Sequence, residues 1–264
     1  MLFDTHAHYD DERFDADRDE LLRSMPENGV GLILNPGCDV ETSRKALSYA
    51  RTYPHVYAAV GFHPENIEGM SDEAVEAGLK EIEMMAADPR VRAIGEIGLD
   101  YYWCKDPVER KRQQAVFRAQ MRMAGRLDLP VIVHDREAHL DCLTIAEQYP
   151  NVRGVFHCYS GSAEFAQRLL DLGWYISFTG VITFKNAKKA LDVIRMMPMD
   201  RIMVETDAPY MAPVPFRGKR CDSSMIAYDA AKIAEVRGIT AQEVLRAGCE
   251  NACRLFSISL HIAE

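Results

Sequence analysis

Eight short apolar runs alternate with longer segments of helical spacing, and this alternation limits the possible folds more than any other feature. The runs cover residues 2–5, 31–35, 56–61, 91–96, 131–134, 154–157, 175–178 and 202–205. Between them apolar residues recur every three or four positions: Leu47 and Ala50; Leu79, Ile82, Met85 and Ala86; Val116, Ala119, Met123 and Leu127; Phe165, Leu169 and Leu172. Asp39 and Ser71 fit helix N-caps, with Glu41 and Glu73 in the first turns. Gly29 and Gly173 stand where a helix must stop before the next strand. Strands that alternate with helices build a parallel sheet. It can stay open and doubly wound, with a ligand at one switch point, or close into a (β/α)8 barrel.

His and carboxylate residues decide for closure. His6, His8, Glu96, His134, His157 and Asp207 all fall at the ends of predicted strands 1, 4, 5, 6 and 8. An open sheet scatters those ends, whereas a barrel rings them around one mouth. The expected fold is therefore α/β, a single-domain (β/α)8 TIM barrel over residues 1–264. Residues after 222 read as two helices, about 222–237 and 240–257, the second an extra C-terminal helix packed on the barrel.

Composition agrees. The chain has 264 residues, and closed barrels of about 250 commonly form one domain. At 48% hydrophobic it can fill a large core. No apolar run of about 18 residues is present, so no membrane span is expected. The first residues lack the charged and apolar regions of a signal peptide. Seven dispersed cysteines with no Cys-x-x-Cys pair suit reduced thiols, and a cytoplasmic monomer without an obligate protein partner is expected. Cys249 and Cys253 share a helix face and read as packing. The net charge of −9 argues against a protein that coats nucleic acid non-specifically. It leaves room for a metal site, which supplies positive charge locally.

Asp4, His6 and His8 are spaced by two and face one side of an extended segment. Two such imidazoles can grip one ion, with Asp4 supporting them from behind. Glu96 lies in an apolar strand, where a free carboxylate is costly. It is either paired with an arginine, Arg92 or Arg136, or bound to metal, and its two oxygens can bridge two ions. Gly95 and Gly98 beside it would let backbone pass close to a ligand. His134 and His157 complete a second position. Asp207 can ligate the first ion and accept a proton from attacking water, so Asp207 and Glu96 are the candidate catalytic residues. Glu205 faces the same way as Asp207 and reads as support, or as half of a buried ion pair. Four histidines and two carboxylates suffice for two divalent ions about 3.5–4 Å apart. Mixed nitrogen and oxygen donors suit Zn or Mn, and also Fe or Ni, better than Mg, which prefers more oxygens. The sequence leaves Zn, Mn and Mg open.

Substrate contacts are expected around this pocket. Lys185, Lys188 and Lys189 follow predicted strand 7; Arg217, Lys219 and Arg220 follow strand 8. Loops in these places often bind phosphate in such barrels. His63, ending strand 3, reads as a substrate or phosphate contact or a proton carrier. Tyr101, Tyr102, Trp103, Tyr159, Phe184, Tyr210 and Phe216 are candidate stacking surfaces for bases. His55, His139 and His261 receive no role.

Several segments together resemble the TatD family of metal-dependent deoxyribonucleases, within the amidohydrolase-type barrels. They are Asp4-Thr5-His6-Ala7-His8, Gly61-Phe62-His63-Pro64, Gly95-Glu96-Ile97-Gly98-Leu99-Asp100-Tyr101, Val133-His134, Phe156-His157-Cys158-Tyr159-Ser160-Gly161, Glu205-Thr206-Asp207-Ala208-Pro209-Tyr210 and Asn251-Ala252-Cys253-Arg254-Leu255-Phe256. The resemblance runs nearly end to end. It implies the same six metal ligands, with Glu96 in the bridging place that a modified lysine takes in many related barrels. It also implies phosphodiester hydrolysis with DNA exonuclease activity. One departure stands out. After Arg217-Gly218-Lys219-Arg220 the family pattern leads to Asn, an acidic residue and Pro, whereas this chain has Cys221-Asp222-Ser223. That bears on the loop after strand 8 and on substrate preference.

Three functions follow. The first is a 3′-to-5′ exonuclease on single-stranded or nicked DNA, with Lys185, Arg217 and Lys219 holding phosphate and Tyr210 and His63 lining the site. The second is a metal-dependent hydrolase of carboxylic esters or amides, such as a lactone or a D-aminoacyl ester on tRNA, because the same ligands serve both chemistries. The third is a non-catalytic binding protein that keeps the fold, against which the complete ligand set argues.

Overall fold

The structure, a computed structural model, describes residues 1–259. His261 lies outside them. Eight strands form one parallel sheet in chain order: β1 (Leu2–Asp4), β2 (Val30–Pro36), β3 (Val56–Val60), β4 (Val91–Asp100), β5 (Val131–Arg136), β6 (Gly154–Phe156), β7 (Tyr175–Phe178) and β8 (Ile202–Val204). Helices follow them: α1 (Arg18–Ser24), α2 (Val40–Thr52), α3 (Asp72–Met85), α4 (Pro107–Leu127), α5 (His139–Glu147), α6 (Ala163–Asp171), α7 (Lys188–Met196), α8 (Ile226–Arg237) and α9 (Ala241–Phe256). This is the expected TIM barrel with its additional C-terminal helix.

The expected signals act where they were read. Asp39 closes a capping box on α2, and Ser71 accepts from the Ala74 N–H to cap α3. Gly29 and Gly173 take positive φ angles of 83° and 80°. Leu172 departs from expectation: it lies one residue past α6 and is exposed.

The barrel interior is filled from all eight strands. Phe3, Leu32, Leu34, Ala59, Ala93, Ile132, Val155, Tyr175 and Met203 form one buried cluster with Cys249, Ala252, Leu255 and Phe256 of α9. The rings of Phe3 and Phe256 lie 6.2 Å apart. The amphipathic α9 thus packs its apolar side against the barrel interior, and its cysteines are packing residues. Removing the Phe256 ring would cost about 3–5 kcal/mol by the usual cavity cost.

The sheet closes beyond the strands themselves. Ala7 bridges Ala208, the Asp207 N–H donates to the His6 carbonyl at 2.8 Å, and the His8 N–H donates to the Ala208 carbonyl at 2.7 Å. Closure and site assembly are therefore one event, since these bonds set His6, His8 and Asp207 side by side. No helix among the described residues is long and apolar enough to cross a membrane.

Candidate metal centre

Glu96 does not end its strand, as the sequence suggested. β4 runs on to Asp100, and a register shift between Ile94 and Ile97 sets three β4 residues against two of β5. A bulge re-aims the residue it contains. Here the Glu96 N–H leaves the β5 ladder and donates to the Gly37 carbonyl at 2.9 Å. The flanking glycines serve the neighbouring strand rather than a ligand. A Cβ on Gly95 would stand 2.8 Å from the Ile132 Cβ, and one on Gly98 would stand 2.0 Å from the His134 carbonyl oxygen.

Glu96 is 3% exposed, and among the described residues no arginine pairs with it. Five imidazoles surround it instead. Oε2 lies 3.4 Å from both His6 Nε2 and His8 Nε2. Oε1 lies 2.8 Å from His134 Nδ1, 2.8 Å from His157 Nε2 and 3.5 Å from His63 Nε2. Arg92, a partner considered from sequence, sits by the Tyr57 ring, and Arg136 lies over the Tyr102 ring.

Asp207 Oδ1 joins the first group, 3.7 Å from His6 Nε2 and 3.6 Å from His8 Nε2. The two imidazole nitrogens are 3.0 Å apart. Donors about 2.1 Å from a tetrahedral ion stand about 3.4 Å from each other. Five separations here, 3.0, 3.4, 3.4, 3.6 and 3.7 Å, bracket that value. His6, His8, Glu96 Oε2 and Asp207 could therefore hold one ion. His134 Nδ1 and His157 Nε2, 3.4 Å apart, could hold a second with Glu96 Oε1. Each carboxylate oxygen faces one group.

Burial and mutual charge set the protonation. Burial pushes His6 down to about 4 and Asp207 up to about 6. Burial alone would lower His134, yet Asp100 and Glu96 raise it to about 9. His157 is likewise held well above its usual range by Glu96 and Glu205, against its burial. Burial would raise Glu96, but His157, His63 and His6 keep it well below the usual carboxylate range. His8, His134 and His157 are held above their usual range around the Glu96 anion, and their protons are what cations would replace.

The supporting residues act through backbone and hydroxyl groups. Glu205 accepts from the Cys158 N–H and the Ser177 hydroxyl, both at 2.7 Å, and lies 3.5 Å from His157 Nδ1. Among the described residues Asp4 makes no hydrogen bond to an imidazole ring, so it supports the histidines through the backbone. It accepts from the His6 N–H at 3.3 Å and from the N–H and hydroxyl of Thr206 at 3.0 and 2.5 Å. It thus pins the β1 end to the β8 end.

His63 Nδ1 accepts from the Glu65 N–H at 3.2 Å, which puts the proton of a neutral ring on Nε2, aimed into the site. Tyr210 stands at the mouth, but Arg13 covers its ring at 4.1 Å and its hydroxyl donates to Asp11. A cavity of about 440 Å³ reaches the cluster past Trp103, Arg136 and Tyr210, and a second of about 260 Å³ reaches it past Tyr159 and Val181.

The cations expected around the site are elsewhere. Lys185, Arg217 and Lys219 are exposed and line neither cavity, and Arg217 sits over the Phe184 ring at 4.5 Å. Lys188 and Lys189 start α7. Arg220 pairs with Asp17 at 2.6 Å and holds the loop against the Arg13 carbonyl. Among the expected stacking residues, Tyr159 is buried, Tyr101 donates to Asp141, and Phe216 packs on Tyr228. Trp103 is 61% exposed at the cavity. The unusual Cys221-Asp222-Ser223 stretch is anchored: Cys221 is buried, Asp222 caps the turn Ser223–Met225, and the Ser223 hydroxyl accepts from Tyr9. His55 and His139 bind the Leu22 carbonyl and Asp135.

Three residues were missed in the sequence. Asp100 Oδ2 accepts from His134 Nε2 at 3.1 Å, so it orients that ring. Glu96, Gly98 and Asp100 share strand parity, which was the available signal. Arg136 follows His134 by two and shares its side of β5. Cys38, its thiol pushed up to about 12 by burial, donates toward Glu96 Oε2 at 3.9 Å, with nothing in the sequence to mark it.

Comparison with known proteins gives the family and agrees with the fold. Residues 3–257 match the family model described as TatD related DNase. The chain is 41% identical to the uncharacterized metal-dependent hydrolase YabD of Bacillus subtilis (strain 168), over 98% of this chain and 100% of that protein. It is 36% identical to the uncharacterized metal-dependent hydrolase YcfH of Escherichia coli (strain K12), over 98% and 96%. The crystal structure of YJJV, a TatD homologue from Escherichia coli K12, superposes with a TM-score of 0.89 at 34% identity, covering 98% of each chain. A bulged carboxylate shared between two sets of imidazoles, on a barrel with relatives along its whole length, makes this chain a member of the TatD family of metal-dependent hydrolases.

Proposed function

We propose that this chain hydrolyses phosphodiester bonds at the ends of DNA, as a 3′-to-5′ exonuclease on single-stranded or nicked strands. The observation that carries the reading is the division of Glu96, one oxygen toward His6, His8 and Asp207 and the other toward His134 and His157. These six residues are the proposed ligands of two divalent ions, Zn, Mn or Mg. Such a pair lowers the pKa of water and stabilises both the attacking and the leaving oxygen of an in-line displacement.

The protein groups supply position and proton transfer. Asp207, which lines both cavities, takes the proton of the attacking water. The water oxygen bonds to phosphorus, the P–O3′ bond breaks, the leaving O3′ takes a proton from solvent, and Asp207 returns its proton to solvent. His63 Nε2–H donates to a non-bridging phosphoryl oxygen. Lys185, Arg217 and Lys219 meet phosphates farther along the strand.

The test is metal-stripped protein with end-labelled single-stranded DNA, with Mg, Mn or Zn restored in turn and Glu96→Ala alongside. Stepwise metal-dependent shortening by the wild type alone is expected, and its absence with every metal refutes the reading. One observation favours a second reading, a carboxylic ester bearing an amine, as in an aminoacyl ester. The cavity rim carries Asp10 and Glu65, which suit a cation. Turnover of D-aminoacyl-tRNA without DNA shortening would establish it.

A further inference from the structure

Beside the ions that the cluster would hold, a polyanion is further favoured by a protein cation, and the residues lining the two cavities include one Lys or Arg, Arg136. It lines both cavities and enters no ion pair among the described residues. Its guanidinium rests 4.1 Å above the Tyr102 ring and 5.6 Å from the Trp103 ring. Tyr102 is exposed as well but lines neither cavity, and Arg13 covers the Tyr210 ring, which leaves Trp103, 61% exposed, as the open aromatic of the first cavity. Asp100 binds the pair to the chemistry: Oδ1 accepts from the Trp103 N–H at 2.9 Å while Oδ2 accepts from His134.

We propose that Arg136 and Trp103 form the subsite for a single terminal nucleotide, the guanidinium taking the phosphate that is cut and the indole stacking on its base. The inference rests on the phosphodiester reading and assigns its specificity. A guanidinium suits bidentate phosphate contact, and stacking on an aromatic accepts any base. The first cavity, about 440 Å³, is of a size for one small ligand. Asp10 and Glu65 on the rim repel further phosphates there, so the strand continues elsewhere and only its end enters.

Two measurements on the metal-loaded protein test this. In the first, thymidine 5′-monophosphate is titrated while intrinsic fluorescence is read. Trp103 is exposed and the other tryptophan, Trp174, is buried, so stacking quenches a signal that Trp103→Phe loses. Arg136→Gln is expected to weaken this binding about tenfold, and thymidine without phosphate to bind at least tenfold less well than the nucleotide. In the second, thymidine 5′-(p-nitrophenyl phosphate) is compared with methyl p-nitrophenyl phosphate. Arg136→Gln should raise KM for both about tenfold. Trp103→Ala should raise KM for the thymidine probe at least fivefold more than for the methyl probe, as one lost stacking contact implies, with urea midpoints unchanged. Equal affinity for nucleotide and nucleoside, or KM values unmoved in both variants, overturns the subsite. If the wild type hydrolyses neither diester, the phosphodiester reading itself fails, whatever the fluorescence shows.

Discussion

Asp100→Asn preserves the shape of a buried side chain and removes one acceptor. Both oxygens of Asp100 accept: Oδ1 from the Trp103 N–H at 2.9 Å and Oδ2 from His134 Nε2 at 3.1 Å. An amide offers one acceptor and one donor, so one of those N–H groups must face an NH2. If His134 loses its acceptor, its neutral ring no longer gains by keeping the proton on Nε2. A proton on Nδ1 then blocks the nitrogen that faces Glu96 and His157. Partners that orient a metal-binding imidazole are worth about 10–100-fold in metal affinity, which corresponds to about 1.4–2.7 kcal/mol. The second equivalent of Zn, titrated against a competing chelator, should weaken by that factor. The first, held by His6, His8 and Asp207, should stay within about twofold. Unchanged affinity for both equivalents, or equal weakening of both, would refute the assignment of Asp100 to the His134 side.

Three further outcomes follow from the same geometry. Gly98→Ala places a Cβ 2.0 Å from the His134 carbonyl at a φ of 144°, and should cost at least about 3 kcal/mol in urea unfolding; a loss below about 1 kcal/mol would contradict so close an approach. Asp39→Ala removes the α2 cap and should cost about 1 kcal/mol at pH 7. Hydrogen bonds from Thr42 hold Asp39 below its unfolded value of 3.8 despite burial, so its charge contributes fully above that pH and is lost as pH falls through the folded value; the gap between variant and wild type should narrow at pH 3. His134, held at about 9 against its burial by Asp100 and Glu96, must shed a proton to bind metal, so affinity for the second ion should fall up to tenfold per unit as pH drops from 8 to 6; a flat profile speaks against His134 as a ligand.

The barrel could be read from the sequence because each strand is a near-continuous apolar run, as burial on both faces requires, and caps at Asp39 and Ser71 with stops at Gly29 and Gly173 mark helix ends. The cluster could be read because strand ends of one barrel share a mouth. What escaped depended on local backbone detail. Glu96 was placed at the end of β4, whereas a bulge turns it inward four residues before the strand stops, and no composition signal marks a bulge. Asp100 was quoted in a motif but given no task, because its partner is 34 positions away. Arg136 was considered as the neutraliser of Glu96, a role that five imidazoles hold instead. Arg220 looked free in a basic loop, and only the fold brings Asp17 to it. Charge partners are long-range properties, so exposed cations are the hardest residues to assign from sequence.

Metal content measured by mass spectrometry tests the shared role of Glu96 most directly, on protein stripped, reloaded with excess Zn and desalted, wild type beside Glu96→Ala. Two equivalents per chain are expected for the wild type, and one or fewer for the variant, which keeps His6, His8 and Asp207 but has lost the carboxylate common to both groups. A wild type that retains no metal, or a variant that still holds two equivalents, would contradict Glu96 as the bridge between two ions.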